Sequence, residues 1–226
     1  MDDVSFKVDE GETLSVMGTS GSGKSTLLRT LNRLIPFSEG KIEFRGQDIM
    51  DIPDIELRRQ IGYVLQQPAL FPHWNTEKNI GLVPRLLNWP KEKTASRVKE
   101  LLELMQMPYK KYGNRYPSEL SGGEQQRVGI ARALAAKPKL ILYDEPFSAL
   151  DPITKTDLQQ EVLRLKENMQ ITSIFVTHDV EEAFLLGDRV LILDHGKVMQ
   201  TGTPEEIKQN PANEFVKKFI KTKNEV

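Results

Sequence analysis

The glycine-rich run Gly18-Thr19-Ser20-Gly21-Ser22-Gly23-Lys24-Ser25-Thr26 says more about the architecture of this chain than any other segment. It follows the apolar run Leu14–Met17, which predicts a strand, and it opens a predicted helix over Lys24–Leu34. Strand, glycine-rich loop and helix in this order form a phosphate-binding loop. Glycines let backbone N–H groups and the positive end of the helix approach an anion closely. All nine residues, Gly18–Thr26, are therefore predicted to bind the phosphates of a nucleotide.

Two side chains of this phosphate loop and two carboxylates further along the chain predict hydrolysis of MgATP. Lys24 is expected to reach the β- and γ-phosphates, and the Ser25 hydroxyl to bind Mg²⁺. The apolar run Leu140–Tyr143 predicts a strand whose carboxyl end, where open α/β sheets bind ligands, delivers Asp144 and Glu145. Asp144 suits the Mg²⁺ shell. Glu145 is then free to orient and polarise the attacking water as a general base.

A histidine follows another predicted strand, Ile171–Val176. His178, in Val176-Thr177-His178-Asp179, is expected to hold the attacking water and the γ-phosphate. His195 lies in Asp194-His195-Gly196-Lys197, which predicts only a hairpin turn.

A second anion site is predicted in the segment Leu120–Arg127, which reads LSGGEQQR and leads into a helical run over Val128–Ala136. Ser and Gly at a helix start bind anions through exposed N–H groups, so Ser121, Gly122 and Gly123 are candidate ligands. One chain already has a phosphate loop. This second anion site, the cradle Ser121–Gly123, is therefore expected to close over the nucleotide of another chain.

The predicted strands alternate with helices, which indicates an α/β fold with a largely parallel sheet covered on both faces. They are Thr13–Met17, Lys41–Phe44, Ile61–Leu65, Leu140–Tyr143, Ile171–Val176 and Arg189–Leu193. The stretch Pro68–Ser118 has six prolines, a charged helix near Lys91–Met105 and no convincing strand. We therefore expect one P-loop NTPase domain over 1–226, made of a core (1–67 and 138–203), an inserted helical lobe (68–137) and a short helical tail (204–226).

Composition limits the partners and the compartment. The chain of 226 residues has 31 Lys plus Arg against 32 Asp plus Glu, a formal charge of −1, which argues against nucleic acid as a partner. It has no cysteine, which fits a reducing compartment, and the cytoplasm is the expected location. No apolar run approaches the roughly 20 residues of a membrane-spanning helix, so any membrane role is expected to act through another subunit.

With these motifs in place, the chain resembles the nucleotide-binding subunits of ATP-binding cassette (ABC) transporters from about Val4 to about Phe219. The resemblance implies a head-to-tail dimer, either a homodimer or a pseudo-dimer with a related cassette, in which Ser121 and Gly123 cap the partner's ATP. It implies that Gln66 acts in catalysis and links the Mg²⁺ site to a transmembrane partner. It also implies that the loop Ser148–Asp151 joins the two ATP sites of the dimer and that Asp151 lies near the nucleotide. Permease subunits and, indirectly, a solute-binding protein are the implied partners, on the inner face of the cell membrane.

A finer resemblance points to importers of osmoprotectants such as glycine betaine, choline or proline. It rests on Ile80–Leu87, which reads IGLVPRLL, and on Asp151-Pro152-Ile153-Thr154. The implied function is a transport motor in which ATP closes the dimer and hydrolysis reopens it. The alternative is a soluble ABC ATPase of DNA repair or translation. Those proteins usually carry a long coiled-coil insertion or two cassettes in one chain, and this sequence has neither.

The two ends of the chain depart from the family pattern. Family members usually begin with another strand and an aromatic residue that stacks on adenine, whereas this sequence opens at Met1–Val4. Phe6 alternates with Val4 and Val8 and is expected in the core rather than on adenine. Our expectation is a truncated or mis-started form of a longer subunit with weak ATP affinity. Many members of the osmoprotectant subgroup continue into regulatory CBS domains, and this chain stops at Val226.

Overall fold

The computed structural model describes residue 1 and residues 3–221. Of the predicted helical tail over 204–226, residues 222–226 lie outside the described residues. The described residues form two compact units: those within 1–58, 142–145 and 171–221 make the first, and residues 59–141 and 146–170 make the second. The predicted division into core, lobe and tail stays a prediction.

Helices lie between most of the strands along the chain, as expected. The strands are β1 (Thr13–Gly18), β2 (Glu43–Phe44), β3 (Gln47–Asp48), β4 (Ile61–Val64), β5 (Leu140–Asp144), β6 (Thr172–Val176), β7 (Arg189–Asp194) and β8 (Lys197–Gly202). The helices are α1 (Lys24–Leu31), α2 (Asp54–Gln60), α3 (Thr76–Ile80), α4 (Leu82–Leu86), α5 (Lys91–Leu104), α6 (Tyr109–Tyr112), α7 (Gly122–Leu134), α8 (Pro152–Met169), α9 (Val180–Leu186), α10 (Pro204–Gln209) and α11 (Glu214–Lys221). Short 3₁₀ turns lie at Ile49–Asp51 and Pro117–Glu119.

A six-stranded sheet with the order β4-β5-β6-β1-β7-β8 organises the chain, and β2 pairs separately with β3. Strand β1 runs parallel to β6 and β7, and β8 runs antiparallel to β7. Every residue of β1 is buried, as expected of a strand covered on both faces. Val16 pairs with Val176 and with Leu191. The carboxyl ends of β1 and β6 therefore meet at one edge of the sheet, where the phosphate loop and His178 begin.

Some predicted boundaries are wrong by a few residues. Helix α1 ends at Leu31 rather than Leu34, because Arg33 has a left-handed backbone (φ 50°) and Leu34 is 54% exposed. The Arg33 guanidinium instead donates to the carbonyl oxygens of Ile49 and Ile52, at 2.9 and 2.6 Å. The strand predicted at Lys41–Phe44 is shorter and starts at Glu43.

The hairpin turn predicted around His195 is present, since β7 and β8 pair on either side of it. His195 and Gly196 both have positive φ, at 43° and 75°, as a tight hairpin requires. Strand β8 was not predicted, because its residues are only partly buried and do not alternate clearly between apolar and polar.

The second unit contains the strand-free stretch that the sequence predicts. All residues from 65 to 139 are described, and none of them lies in a strand. The buried Asn79 organises the loop before α3. Its side-chain amide donates to the carbonyl oxygens of Phe71, Trp74 and Asn75, and its side-chain oxygen accepts from the Phe71 N–H. Helix α5 is the predicted charged helix, and it buries one apolar side that includes Leu101.

The two C-terminal helices belong to the first unit. Ile207 of α10 and Val216 and Ile220 of α11 join a core cluster with Met17 and Ile192 of the sheet. Phe6, predicted in the core, is only partly buried, and residues 4–9 form no strand. Within residues 1 and 3–221, no helix combines the length and the apolar character needed to cross a lipid bilayer.

Candidate functional site

The phosphate loop joins β1 to α1, and glycines permit its conformation. Gly21 and Gly23 have φ values of 78° and 103°, in the left-handed region that favours glycine. At Gly18 the reason is contact rather than conformation, because a Cβ there would lie 2.0 Å from the carbonyl oxygen of Leu193 on β7. The sequence order of strand, loop and helix therefore folds into the predicted phosphate loop.

Three features of this loop fit a phosphate group. The Ser22 hydroxyl is buried and has no hydrogen-bond partner within the described residues. The Lys24 side chain is only 6% exposed, and its Nζ donates to the carbonyl oxygens of Gly18 and Thr19, each at 2.9 Å. Burial lowers the pKa of Lys24, against the opposing effect of the Glu145 and Asp144 carboxylates. A buried cation beside a helix N-terminus and an unsatisfied hydroxyl favours an anionic ligand.

Ser25 and Asp144 lie in direct contact beside this loop. The Ser25 Oγ donates to Asp144 Oδ1 at 3.0 Å, and Asp144 is buried at the end of β5. A hydroxyl and a carboxylate are oxygen ligands of the kind that Mg²⁺ prefers, with nucleotide phosphates and water completing its shell. The described residues contain no cluster of three His, Cys, Asp or Glu side chains that could hold a metal ion. The oxygens of Ser25 and Asp144 fit a Mg²⁺ that arrives with a nucleotide.

Glu145 and His178 also meet, although 33 residues separate them. The Nδ1 of His178 lies 3.0 Å from Oε2 of Glu145. Glu145 has a left-handed backbone (φ 48°), and its N–H donates to the carbonyl oxygen of Val176 at 3.0 Å. Non-glycine residues in this conformation are held by their surroundings and cluster at functional sites. The fold thus places a carboxylate and an imidazole together in the same unit as the phosphate loop.

The β7–β8 turn supports the phosphate loop through contacts that the sequence did not predict. The Thr19 hydroxyl donates to Asp194 Oδ1 at 2.9 Å, and the Gly196 N–H donates to the carbonyl oxygen of Ser22 at 3.1 Å. The turn therefore holds the phosphate loop at two points. Only the pairing of β7 beside β1 reveals this role for Asp194, because the local sequence predicts a turn and nothing more.

The predicted second cradle lies in the second unit, at the start of α7. Ser121 and Glu124 form a capping box: Ser121 Oγ accepts from the Glu124 N–H at 3.3 Å, and Glu124 Oε2 accepts from the Ser121 N–H at 2.8 Å. The Tyr112 hydroxyl donates to Glu124 Oε1 at 2.9 Å. Burial raises the pKa of Glu124, but the bonds from Ser121 and Tyr112 outweigh it and bring this pKa below its ordinary value.

Helix α7 packs against α8, which follows the predicted loop at Asp151. A Cβ on Gly123 would lie 2.3 Å from Cγ2 of Thr154, so only glycine fits. Asp151 caps α8 by accepting from the Thr154 N–H at 3.1 Å. Further along both helices, Arg127 forms an ion pair with the buried Glu161. The cradle and the Asp151 loop are therefore fixed to each other.

Gln66 lies beside the same helix. The buried Gln126 of α7 donates through Nε2 to the carbonyl oxygen of Leu65 at 3.1 Å, and Gln66, the next residue, is exposed. The second unit thus gathers Gln66, the cradle and Asp151. The first unit gathers the phosphate loop, Asp144, Glu145 and His178.

Comparison with known proteins decides the family. A family model described as ABC transporter matches residues 1–148. The chain belongs to the ABC transporter family. The family predicted from the motifs is confirmed.

Named relatives of this ABC chain are transport ATP-binding proteins. The choline transport ATP-binding protein OpuBA of Bacillus subtilis is 52% identical over 97% of this chain and 58% of its own length. The glycine betaine/carnitine/choline transport ATP-binding protein OpuCA of the same organism is 52% identical over 96% of this chain and 57% of its length. The glycine betaine uptake system ATP-binding protein YehX of Escherichia coli is 45% identical over 97% of this chain and 71% of its length. The chain thus spans somewhat more than half of OpuBA and OpuCA.

Solved structures confirm the predicted α/β P-loop NTPase fold. The ATP-binding cassette MJ0796, described as a dimer in a post-hydrolysis state bound to ADP and Pi, matches with a TM-score of 0.77 and 37% identity over 88% of each chain. The cbiO1 protein of Clostridium perfringens, part of the ABC transporter complex cbiONQ, matches with a TM-score of 0.83 and 28% identity over 92% of this chain and 84% of its own.

Proposed function

We propose that this chain is the ATP-hydrolysing motor subunit of an ABC importer for osmoprotectants of the glycine betaine, choline and proline type. One observation carries the ATPase part of the proposal: the phosphate loop, the Ser25–Asp144 contact and the Glu145–His178 contact lie together in one unit. The osmoprotectant part is supported by the printed names of relatives that are about half identical to this chain.

The nine residues Gly18–Thr26 hold the triphosphate of ATP. Backbone N–H groups of the loop and the Lys24 ammonium face its negative charge, and the bonds of Lys24 to main-chain oxygens hold the ammonium at the loop. Ser25 and Asp144 would hold Mg²⁺, and the resemblance to the family implies Gln66 as a further ligand. The metal neutralises charge on the phosphate oxygens when it is bound.

Hydrolysis uses the two side chains at the ends of β5 and β6. The Glu145 carboxylate orients a water molecule and accepts its proton while the water oxygen bonds to the γ-phosphorus. The bond from that phosphorus to the β–γ bridging oxygen breaks, which leaves ADP and phosphate. His178 contacts Glu145 through Nδ1, and its other ring nitrogen holds the γ-phosphate and the water.

The second cradle acts on another copy. Ser121, Gly122 and Gly123 of one cassette cap the ATP that its partner's phosphate loop holds, and Asp151 joins the two sites. The dimeric, ADP- and Pi-bound structure of MJ0796 supports this arrangement. ATP closes the head-to-tail dimer, or a pseudo-dimer with a related cassette, and hydrolysis reopens it. The motion drives transmembrane permease subunits, which receive their solute from a solute-binding protein. The cassette lies at the cytoplasmic face of the membrane.

The ATPase proposal is tested at Glu145. Glu145→Gln removes the proton acceptor and keeps the size of the side chain, so hydrolysis should slow by about 10²-fold or more while ATP still binds. The mutant should accumulate as an ATP-bound dimer, measured by light scattering with size-exclusion chromatography. Glu39→Gln, at an exposed position of the first unit, is the matched control. Near-normal turnover in Glu145→Gln would remove Glu145 from this role.

The transport proposal needs the whole system. The chain is expressed with its permease and solute-binding partners in cells that lack osmoprotectant uptake, and uptake of labelled glycine betaine, choline and proline is measured at high osmolarity. We expect uptake of at least one of them, and none when Lys24 is replaced by Ala. An assembled complex with normal ATPase activity that takes up none of the three would contradict the proposed substrate class.

A further inference from the structure

The first turn of α9, just after β6, contains a buried carboxylate that the proposed mechanism leaves without a role. Glu182 is 4% exposed and lies four residues after His178. We propose that Glu182 is a positioning residue for hydrolysis: acting through the Thr177 hydroxyl, it fixes the turn that presents the His178 imidazole to Glu145. This inference rests on the proposed role of His178.

A single hydroxyl links Glu182 to the backbone on both sides of His178. The Thr177 Oγ1 donates to Glu182 Oε2 at 2.5 Å, and it accepts from the Asp179 N–H at 3.0 Å. A hydroxyl has one proton to donate. Because a carboxylate oxygen can only accept, Glu182 draws that proton and leaves a lone pair of Thr177 for the Asp179 N–H. The carboxylate therefore sets the orientation of the hydroxyl.

The residues on either side of His178 are also anchored to regular structure. The Thr177 N–H donates to the carbonyl oxygen of Val16 on β1 at 3.1 Å. The Asp179 side chain caps α9 by accepting from the N–H groups of Glu181 and Glu182, at 2.9 and 3.4 Å. The turn is thus held at its start by the sheet and at its end by the helix, and the Thr177 hydroxyl connects the two across His178.

His178 needs this support because its own side chain is 53% exposed. Packing covers less than half of the imidazole, so the backbone turn decides where the ring points. A displacement of about 1 Å in a reacting group can cost about 10²-fold in rate. Loss of the Glu182 carboxylate should therefore lower kcat by at least about tenfold. It should leave the KM for ATP nearly unchanged, because the phosphate loop has its own supports at Asp194 and Gly196.

The test compares two substitutions of Glu182 with one control. Glu182→Met keeps the length of the side chain and loses the acceptor, and Glu182→Gln keeps an acceptor oxygen and should restore most of kcat. Ser173→Ala removes a buried hydrogen bond to Thr13 at the other end of β6, and it should change thermal stability without changing kcat. Thr177→Val removes the same link from the other side, and it replaces Glu182→Met if that variant does not fold.

A double-mutant cycle with His178→Ala separates positioning from a merely structural effect. If Glu182 acts through His178, Glu182→Met should lower kcat in the wild-type background and have no further effect when His178 is already absent. An equal loss of kcat in both backgrounds, or unchanged kcat in Glu182→Met, would overturn the inference. Full turnover in His178→Ala itself would instead refute the proposed role of His178, so the two failures are distinguishable.

Discussion

Two adjacent glycines of the cradle, Gly122 and Gly123, predict opposite effects for the same substitution. An added Cβ on Gly122 would meet no atom of the described residues within 4 Å, whereas one on Gly123 would lie 2.3 Å from Cγ2 of Thr154. Both residues belong to the first turn of α7. Gly122→Ala should therefore be neutral or stabilise the protein by up to about 1 kcal/mol, since alanine is the better helix former.

The cost of Gly123→Ala follows from how far the added Cβ and Cγ2 of Thr154 must move apart. Ordinary van der Waals contact begins at 3.4 Å, so the added methyl and Cγ2 of Thr154 must separate by about 1 Å, the difference between 3.4 and 2.3 Å. Thr154 is β-branched and cannot swing its methyl away freely. Overpacking of this kind costs about 1–3 kcal/mol, which offsets or exceeds the helix gain. A shift of about 1 Å in the cradle should lower hydrolysis by about 10²-fold.

The assay follows ATP affinity, hydrolysis and thermal unfolding in both variants. ATP binding should be unchanged in both, because the phosphate loop lies in the first unit and the cradle in the second. Gly123→Ala should lose thermal stability and hydrolysis, whereas Gly122→Ala should keep its thermal stability. The double variant Gly123→Ala/Thr154→Ser removes the methyl that blocks the added Cβ, and it keeps a hydroxyl and the backbone N–H that Asp151 caps. Hydrolysis should return in it.

Failure of the rescue would refute the steric argument. If Gly123→Ala/Thr154→Ser stays as inactive as Gly123→Ala while Thr154→Ser alone is active, glycine is needed at this position for another reason. Wild-type thermal stability and hydrolysis in Gly123→Ala would show that α7 can move by about 1 Å without consequence.

Three further predictions test other contacts. Ser121→Arg should fill the cradle and abolish hydrolysis, but it should leave ATP binding by the single chain intact. A fully active Ser121→Arg mutant whose rate still rises steeply with protein concentration would contradict this prediction. The lowered pKa of Glu124 means that its charge stabilises the fold fully above about pH 4.3 and ceases to do so as pH falls through the folded-state value. Denaturant unfolding should therefore show a gap in stability between wild type and Glu124→Gln at pH 6 that narrows as pH falls below about 4.3; a gap of the same size at pH 6 and pH 3 would show another cause. Asp194→Ala removes the acceptor of the Thr19 hydroxyl and should weaken ATP binding about tenfold, roughly 1.4 kcal/mol, by calorimetry; an unchanged Kd would show that the phosphate loop does not need this support.

Local features of the fold were predictable because neighbouring residues determine them. The phosphate loop needs glycines at left-handed positions, and Gly21 and Gly23 supply them within the loop itself. The same is true of the hairpin turn at His195 and of the helix start at Ser121, whose cap uses a residue three positions later. The end of α1 was not predictable in this way, because Arg33 leaves the helix to bond with Ile49 and Ile52, which are distant in sequence.

The sequence by itself determined the family and predicted which segments carry chemistry: a phosphate loop, a strand that ends in Asp144 and Glu145, a histidine after another strand, and a second anion cradle. Only the tertiary structure decided how these segments are held. The Thr19–Asp194 bond joins residues 175 positions apart, and the fit of Gly123 against Thr154 depends on how two helices pack. Such contacts follow from strand order and from burial of the whole core, whereas a turn or a cap follows from the conformational preferences of a few adjacent residues.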